Sequence, residues 1–363
     1  MKKTLLKAIV LFVVIALLAV LGVSGCKTTT TETTAAASET STTAAESTTT
    51  AAETTTTTAP AKKLVFGNLP VALSDEWNGY SVENFKYAAA KKGVEVQVLD
   101  SAWDSNKQLS NLEDLITKKV DQISVFVYTP EEAQKFLTKA NDAKIPISFE
   151  NTKLVDKVQG DYLFNVAFEY AQTGYLAFKY ISETYPGKKV FYARGLPGMG
   201  IVEEYMVGIE KAIKEFGKVK VDIQRDTNWD TKTAQDATTD VIASGQKFDV
   251  IFANNESMAV GCYNALKDAG LAGKIPIVTT GGGPTGIKLL QDGIVQATVA
   301  APVSLQGLYL FKAMYLYATQ SITPPQKFIA PDQSVVTVKD LDKITPWQPS
   351  DALIDMIGGL DKW

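Results

Sequence analysis

From Lys62 onward, short runs rich in β-branched and aromatic residues alternate with longer stretches whose apolar residues recur at three- and four-residue spacing, and this alternation restricts the fold more than any other feature. Leu64-Val65-Phe66, Val94–Leu99, Ile123–Val127 and Ile145–Phe149 read as strands, and the spacing predicts helices near 81–92, 105–119 and 131–143. A second set opens with the aromatic-rich segment Asp161–Val166 and continues with strands near 188–193, 218–224, 248–253, 275–280 and 295–300. Strands alternating with helices of this length build βαβ units and therefore parallel sheets. The restart after four strands predicts two α/β lobes. Ligands sit at the carboxyl ends of parallel strands, so a cleft between such lobes collects the functional loops of both.

Composition narrows the chemistry. The chain has no His at all, which removes His-containing zinc sites, Ser-His-Asp triads, Cys-His dyads and histidine pH switches. A formal charge of −4, with no basic run after residue 7, argues against a nucleic-acid partner. The two cysteines, Cys26 and Cys262, stand in unlike contexts and outside any CxxC pair, so no disulfide is expected. Cys262, at an apolar helix start, reads as a packing thiol. The acid pairs Glu131-Glu132 and Glu203-Glu204 do not make a glycosidase, because no second carboxylate can be set at a working distance from either. No catalytic set, metal site or cofactor is expected.

The N-terminus is an address. Lys2, Lys3 and Lys7 precede an apolar run from Ala8 to Val23, short for a membrane span and typical of a secretory signal. Its ending, Val23-Ser24-Gly25-Cys26, resembles the bacterial lipobox, which implies removal of residues 1–25 and lipidation of Cys26. Lys27–Pro60 follows, with 17 of its 34 residues Thr and no Val, Leu, Ile or aromatic side chain, too little apolar surface to fold. Residues 26–60 therefore read as a lipidated Cys and a flexible tether, holding an extracytoplasmic monomer at the membrane.

Three segments carry a family resemblance: Ser74-Asp75-Glu76-Trp77-Asn78, Ile145–Asn151, and Phe252-Ala253-Asn254-Asn255-Glu256-Ser257-Met258-Ala259-Val260-Gly261. Over residues 62–340 the chain resembles the type I periplasmic binding proteins, especially the ribose-binding, sugar-transport branch. The resemblance implies two Rossmann-like lobes joined by three hinge crossings near 167–169, 301–304 and 330–333. Lobe 1 would comprise 61–167 with 302–331, and lobe 2 would comprise 168–301 with 332–340, leaving 341–363 as a C-terminal extension. Hinge closure would trap a solute, and the closed form would dock on an ABC permease in the membrane.

The same resemblance assigns Trp77 and Trp229 to opposite faces of the ligand, each also readable as a packing residue. Asn255 and Asp75 would bond ligand hydroxyls, with a helix N-cap and an Asx-turn as their structural alternatives. Glu256 is placed beside the site or as a cap of the same helix. Where ribose-type relatives carry Asp-Arg after the fourth strand, this chain has Glu150-Asn151. A second family Arg is replaced around Glu203, Glu204 and Tyr205, the late-strand Asp is missing from Thr279–Pro284, and Met199 could pad the pocket. A site with acids and aromatics but no matched Arg disfavours anions. It suits a neutral sugar or polyol, with a nucleoside or a cationic amine as the alternative ligand, and a sensor of a membrane receptor or kinase as the alternative role.

Overall fold

The computed structural model describes residues 63–153 and 157–363, so the signal segment, Cys26 and the tether lie outside the described residues. Two six-stranded sheets form the frame. The first contains β1 (Val65–Leu69), β2 (Glu95–Val98), β3 (Gln122–Val125), β4 (Ile147–Glu150), β5 (Phe164–Val166) and the late β11 (Phe328–Ile329), in the order β11-β5-β4-β3-β1-β2 and parallel throughout. The second contains β6 (Lys189–Arg194), β7 (Lys220–Asp226), β8 (Val250–Ala253), β9 (Ile277–Gly281), β10 (Ala297–Ala300) and β12 (Ser334–Val336), in the order β12-β10-β9-β8-β6-β7, with only β12 antiparallel. Asp161–Val166 thus closes the first set rather than opening the second: Ser148 pairs with Phe164 and Glu150 with Val166.

Helices α1 (Glu76–Lys91), α2 (Ser105–Thr117), α3 (Pro130–Asp142), α4 (Tyr170–Thr184), α5 (Ile201–Phe216), α6 (Thr231–Ala243), α7 (Glu256–Asp268), α8 (Pro284–Gln291) and α9 (Val303–Gln320) follow the strands. The first begins five residues before its expected start at 81. Asp75 is extended and accepts from Asn78 N at 3.0 Å, an N-cap that draws residues 76–80 into the first turn. Trp77 therefore sits on a helix and not in a loop.

Each lobe has its own core. Phe66, Phe85 and Phe311 are buried together between the first sheet and the α1/α9 pair, with ring centroids 5.5–6.0 Å apart. Phe191, Ile251, Cys262 and Leu266 belong to a core of the second lobe; Cys262 is buried, as its apolar context suggested, and burial pushes its thiol up to about 12.

Close helix pairs set the cleft walls. A Cβ on Gly208 of α5 would lie 1.7 Å from the Ala171 carbonyl oxygen of α4, and one on Gly174 of α4 would lie 2.3 Å from that of Tyr205 on α5. Backbone meets backbone here, which brings Tyr170 and Thr173 on one helix beside Ile201 and Tyr205 on the other. Gly208→Ala should lower stability by about 1–3 kcal/mol through overpacking, despite the better helix propensity of Ala. An unchanged urea midpoint would contradict this packing.

The chain passes between the lobes after β5 through Ala167–Glu169, after β10 through Ala301–Pro302 and after β11 through residues 330–333. It then crosses a fourth time, which the sequence did not suggest. A 3-10 turn at Val338–Lys343 packs beside β12, and α10 (Asp351–Met356) returns to the first lobe, where Leu353, Ile357 and Leu360 are buried in its core.

Candidate functional site

A cavity of about 600 Å³, counted with its open mouth, lies where the carboxyl ends of both sheets meet. Six aromatic side chains line it: Trp77, Trp103 and Phe126 from the first lobe, and Tyr170, Tyr205 and Trp229 from the second. Asp75, Asn78, Asn151, Thr173, Asn254, Asn255, Thr280 and Gln333 supply polar atoms, and Met199, Ile201 and Ala301 complete the wall. No Lys or Arg is among the described residues of this lining. Arg194, at the end of β6, is instead paired with Asp226 at 2.6 Å.

Hydrogen bonding fixes which polar atoms remain for a ligand. The Tyr170 hydroxyl lies 2.7 Å from Asn151 Oδ1 and 3.0 Å from the Asn151 carbonyl oxygen and donates to that residue, leaving the Asn151 amide nitrogen as a donor. Thr280 Oγ1 donates to the Asn254 carbonyl at 2.6 Å. Its hydrogen is thereby used, so the 3.0 Å contact with Tyr205 has the phenol donating and leaves the phenol oxygen as an acceptor. Asn254 Oδ1 accepts from Tyr192 OH and Gly195 N, both at 2.9 Å, while its amide nitrogen has no partner. Trp77 Nε1 is also buried and unpartnered. Buried donors without acceptors are costly, so both favour a ligand rich in oxygen acceptors.

Asp75 is the sole carboxylate of the described lining. One of its oxygens accepts from the backbone and side-chain nitrogens of Asn78, both at 3.0 Å, and burial raises its carboxyl above the ordinary value. Asn255 likewise caps α7, its Oδ1 accepting from Met258 N at 2.8 Å, and still reaches the cavity. For both residues the capping and the lining roles coexist.

Seven of the nine residues chosen from the sequence line the cavity: Asp75, Trp77, Asn151, Met199, Tyr205, Trp229 and Asn255. Glu150 does not. It is buried behind the wall, where Ser81 Oγ and Gln306 Nε2 donate to it at 2.6 and 2.8 Å, tying α1 and α9 to the end of β4. Glu256 does not either. Its carboxylate accepts from Gly282 N at 2.5 Å and Gly283 N at 3.3 Å, so it fastens the turn that leads into α8. The family resemblance placed Glu150 at the ligand and left Glu256 between the ligand and a cap, yet each is consumed by groups of its own lobe.

Trp103 was missed, although a local repeat marks it. Ser101-Ala102-Trp103-Asp104-Ser105 in the first lobe matches Thr227-Asn228-Trp229-Asp230-Thr231 in the second. In both, Asp caps the next helix, its N–H bonds back to the first residue of the repeat, and the Trp and its predecessor adopt positive φ of 52–63°. Such a conformation is strained for a bulky residue. The two indoles stand at the mouth from opposite lobes, and Trp229 packs so closely on Gly195 that a Cβ there would lie 2.1 Å from its ring.

Residues 66–321 match the family model described as a periplasmic binding protein domain, and the chain belongs to that family. The ribose import binding protein RbsB of Salmonella typhimurium is 27% identical over 213 residues, which cover 58% of this chain and 70% of the relative. The galactofuranose-binding protein YtfQ of Escherichia coli K12 is 22% identical over 273 residues, covering 73% and 86% respectively. Among solved structures, an ABC transporter solute binding protein from Bacillus halodurans C-125 with bound myo-inositol superposes with a TM-score of 0.72 at 23% identity, covering 79% of this chain and 98% of that one. Members of this family are solute-binding proteins of transport.

Glu256 gives the fold a pH signature. Burial pushes its carboxyl from 4.5 up to about 8, so near neutral pH the folded protein holds a proton that the unfolded chain has released. This contribution is fully present below the unfolded value and is lost as pH rises through the folded one, so stability should fall between about pH 5 and pH 8. Glu256→Gln keeps an acceptor without the charge and should flatten that descent, read by urea unfolding at both pH values. An equal slope in parent and variant would contradict the assignment.

Proposed function

We propose that the chain is the extracytoplasmic receptor of an ABC importer, anchored through a lipid on Cys26, and that it traps a neutral sugar or a cyclic polyol between its lobes. The observation that carries this reading is the lining itself: six aromatic rings and a set of amides and hydroxyls converge with no Lys or Arg among the described lining residues. Sugar C–H faces are apolar and pack on indole and phenol rings, while rim hydroxyls need donors and acceptors in alternation. Trp77 Nε1, Asn254 Nδ2 and the Asn151 amide are donors, and Asp75 and the Tyr205 oxygen are acceptors. An anionic solute would enter without a counter-charge and beside Asp75, which disfavours sugar acids and phosphates. Relatives named for ribose and galactofuranose point the same way.

Capture follows from the architecture. Trp103 moves with the first lobe and Trp229 with the second, so closing about the crossings brings a ring from each side onto the solute. Closure also removes water, which strengthens every hydrogen bond inside. The closed form would then dock on the permease.

A thermal-shift screen of neutral sugars, cyclic polyols, nucleosides, amines and sugar acids tests the ligand class. A true ligand at 100 times its Kd should add about 2.7 kcal/mol of stability. A response confined to an amine or a sugar acid would overturn the neutral-sugar reading. With the responding sugar, Trp103→Ala and Trp229→Ala should each weaken binding by about 1–3 kcal/mol, and unchanged affinity in both would remove the two-indole clamp. Metabolic labelling with a fatty acid should place lipid on the parent and none on Cys26→Ser, whereas an unlabelled parent would exclude the lipid anchor.

A further inference from the structure

The fourth crossing brings one side chain to the junction of everything that moves. Before it, Ile344 is buried in the core of the second lobe, and after it α10 is fixed to the first. That anchorage is firm: Lys312 Nζ donates to the Ile357 carbonyl at 2.6 Å, Lys91 pairs with Asp351 at 2.7 Å and Lys92 with Asp361 at 2.5 Å. Between these anchors lies Trp347, only 2% exposed.

Its contacts reach both lobes and the hinge. The indole N–H donates to the carbonyl of Ala301, the first residue of the second crossing, at 3.1 Å. The ring meets Trp77 edge-on at 5.5 Å and Tyr80 at 5.8 Å, both on α1 of the first lobe. Asn84 of the same helix donates to the Trp347 carbonyl at 2.7 Å. On the other side the ring covers Gly283, the N-cap of α8 in the second lobe, where an added Cβ would lie 2.5 Å from it. Glu76, also on α1, reaches Thr285 N of α8 at 3.4 Å across the same junction.

Two of these neighbours, Trp77 and Ala301, line the solute cavity. The Trp77 indole N–H has no partner, and the ring is held by contacts with Phe168 at 5.0 Å and with Trp347. We infer that Trp347 is a positioning residue for solute capture: the C-terminal segment works as a strap whose indole backs the cavity wall at Trp77 and sets the resting angle between the lobes. Asn84 and α10 hold the strap on the first lobe, so opening peels Gly283 away from the indole and returns it on closing. The inference rests on the cleft being the solute site, but the resting angle is readable without any solute.

The test uses spin labels at the exposed positions Lys107→Cys and Lys232→Cys, at the starts of α2 and α6, in full-length protein carrying Cys26→Ser; the remaining thiol, Cys262, is buried. Pulsed dipolar spectroscopy without ligand should give a longer and broader interlobe distance distribution for Trp347→Ala than for the parent. Gly283→Ala, which crowds the indole from the second lobe, should displace the distribution as well and serves if the first variant does not fold. Phe136→Leu, in a separate core of the first lobe, should lower the melting temperature and leave the distribution unchanged. A parent-like distribution in Trp347→Ala, or in Gly283→Ala if only that variant folds, overturns the inference. So does a shift in Phe136→Leu as large as theirs, since general loosening would then explain all three. Displaced distributions in a protein that binds no neutral sugar would overturn the ligand assignment and leave the strap standing.

Discussion

Every βα unit of this fold starts its helix at the carboxyl edge of a parallel strand, so the unpaired N–H groups of several first turns gather round one cleft. Those donors must be satisfied before a solute arrives. Asp75, Asp104, Thr129, Asp230 and Asn255 do so as side-chain caps, and Glu256 answers for Gly282 and Gly283 at the entrance to α8. Of these caps Asp75 and Asn255 also line the cavity, so its one carboxylate and part of its amide set serve helix chemistry, and no Lys or Arg stands beside them among the described lining residues. What remains for a ligand is a ring of aromatic faces and a few amide and phenol groups whose other hydrogen bonds are already made.

The same economy explains how the site stays shaped while the lobes move. Glycines at the α4/α5 crossing let backbones touch, and Gly307 on α9 does the same for α1, where a Cβ would lie 2.1 Å from the Ser81 carbonyl oxygen. Ser81 and Gln306 then converge on the buried Glu150, whose carboxyl is raised by burial and held by both donors. Each wall is rigid within its lobe. Motion is left to four crossings, three expected from the family and one supplied by the C-terminal strap.

Periodicity and strand runs made both lobes, nearly every strand and the three helices α1 to α3 visible in the sequence, because those signals are local. Two boundaries escaped for physical reasons. The first helix was expected to start near 81, yet Asp75 as N-cap brings its start forward to Glu76, and Asp161–Val166 was read as a new beginning, yet pairing with β4 makes it an ending. Residue type alone could not separate Asp75, which faces the cavity, from Glu150 and Glu256, which are spent on partners 69 and 26 positions distant in the sequence. Trp103 was legible in its repeat with Trp229 but overlooked, since its own loop carried no family marker. Trp347 stood out only as an apolar residue of a C-terminal extension suited to packing on a lobe: its role at the cavity wall depends on a return crossing that only tertiary structure reveals.

The placement of tryptophan makes the decisive measurement simple. Of five in the chain, Trp77, Trp103 and Trp229 line the cavity and Trp347 backs it, which leaves Trp363 alone at a distance, on Phe164. Intrinsic fluorescence titrated with single neutral sugars and cyclic polyols should show, for at least one of them, a saturable change with one-to-one stoichiometry, and none for sugar acids. A saturable response to a sugar acid, with silence toward every neutral sugar and polyol, would contradict capture in an aromatic cleft whose described lining holds no Lys or Arg.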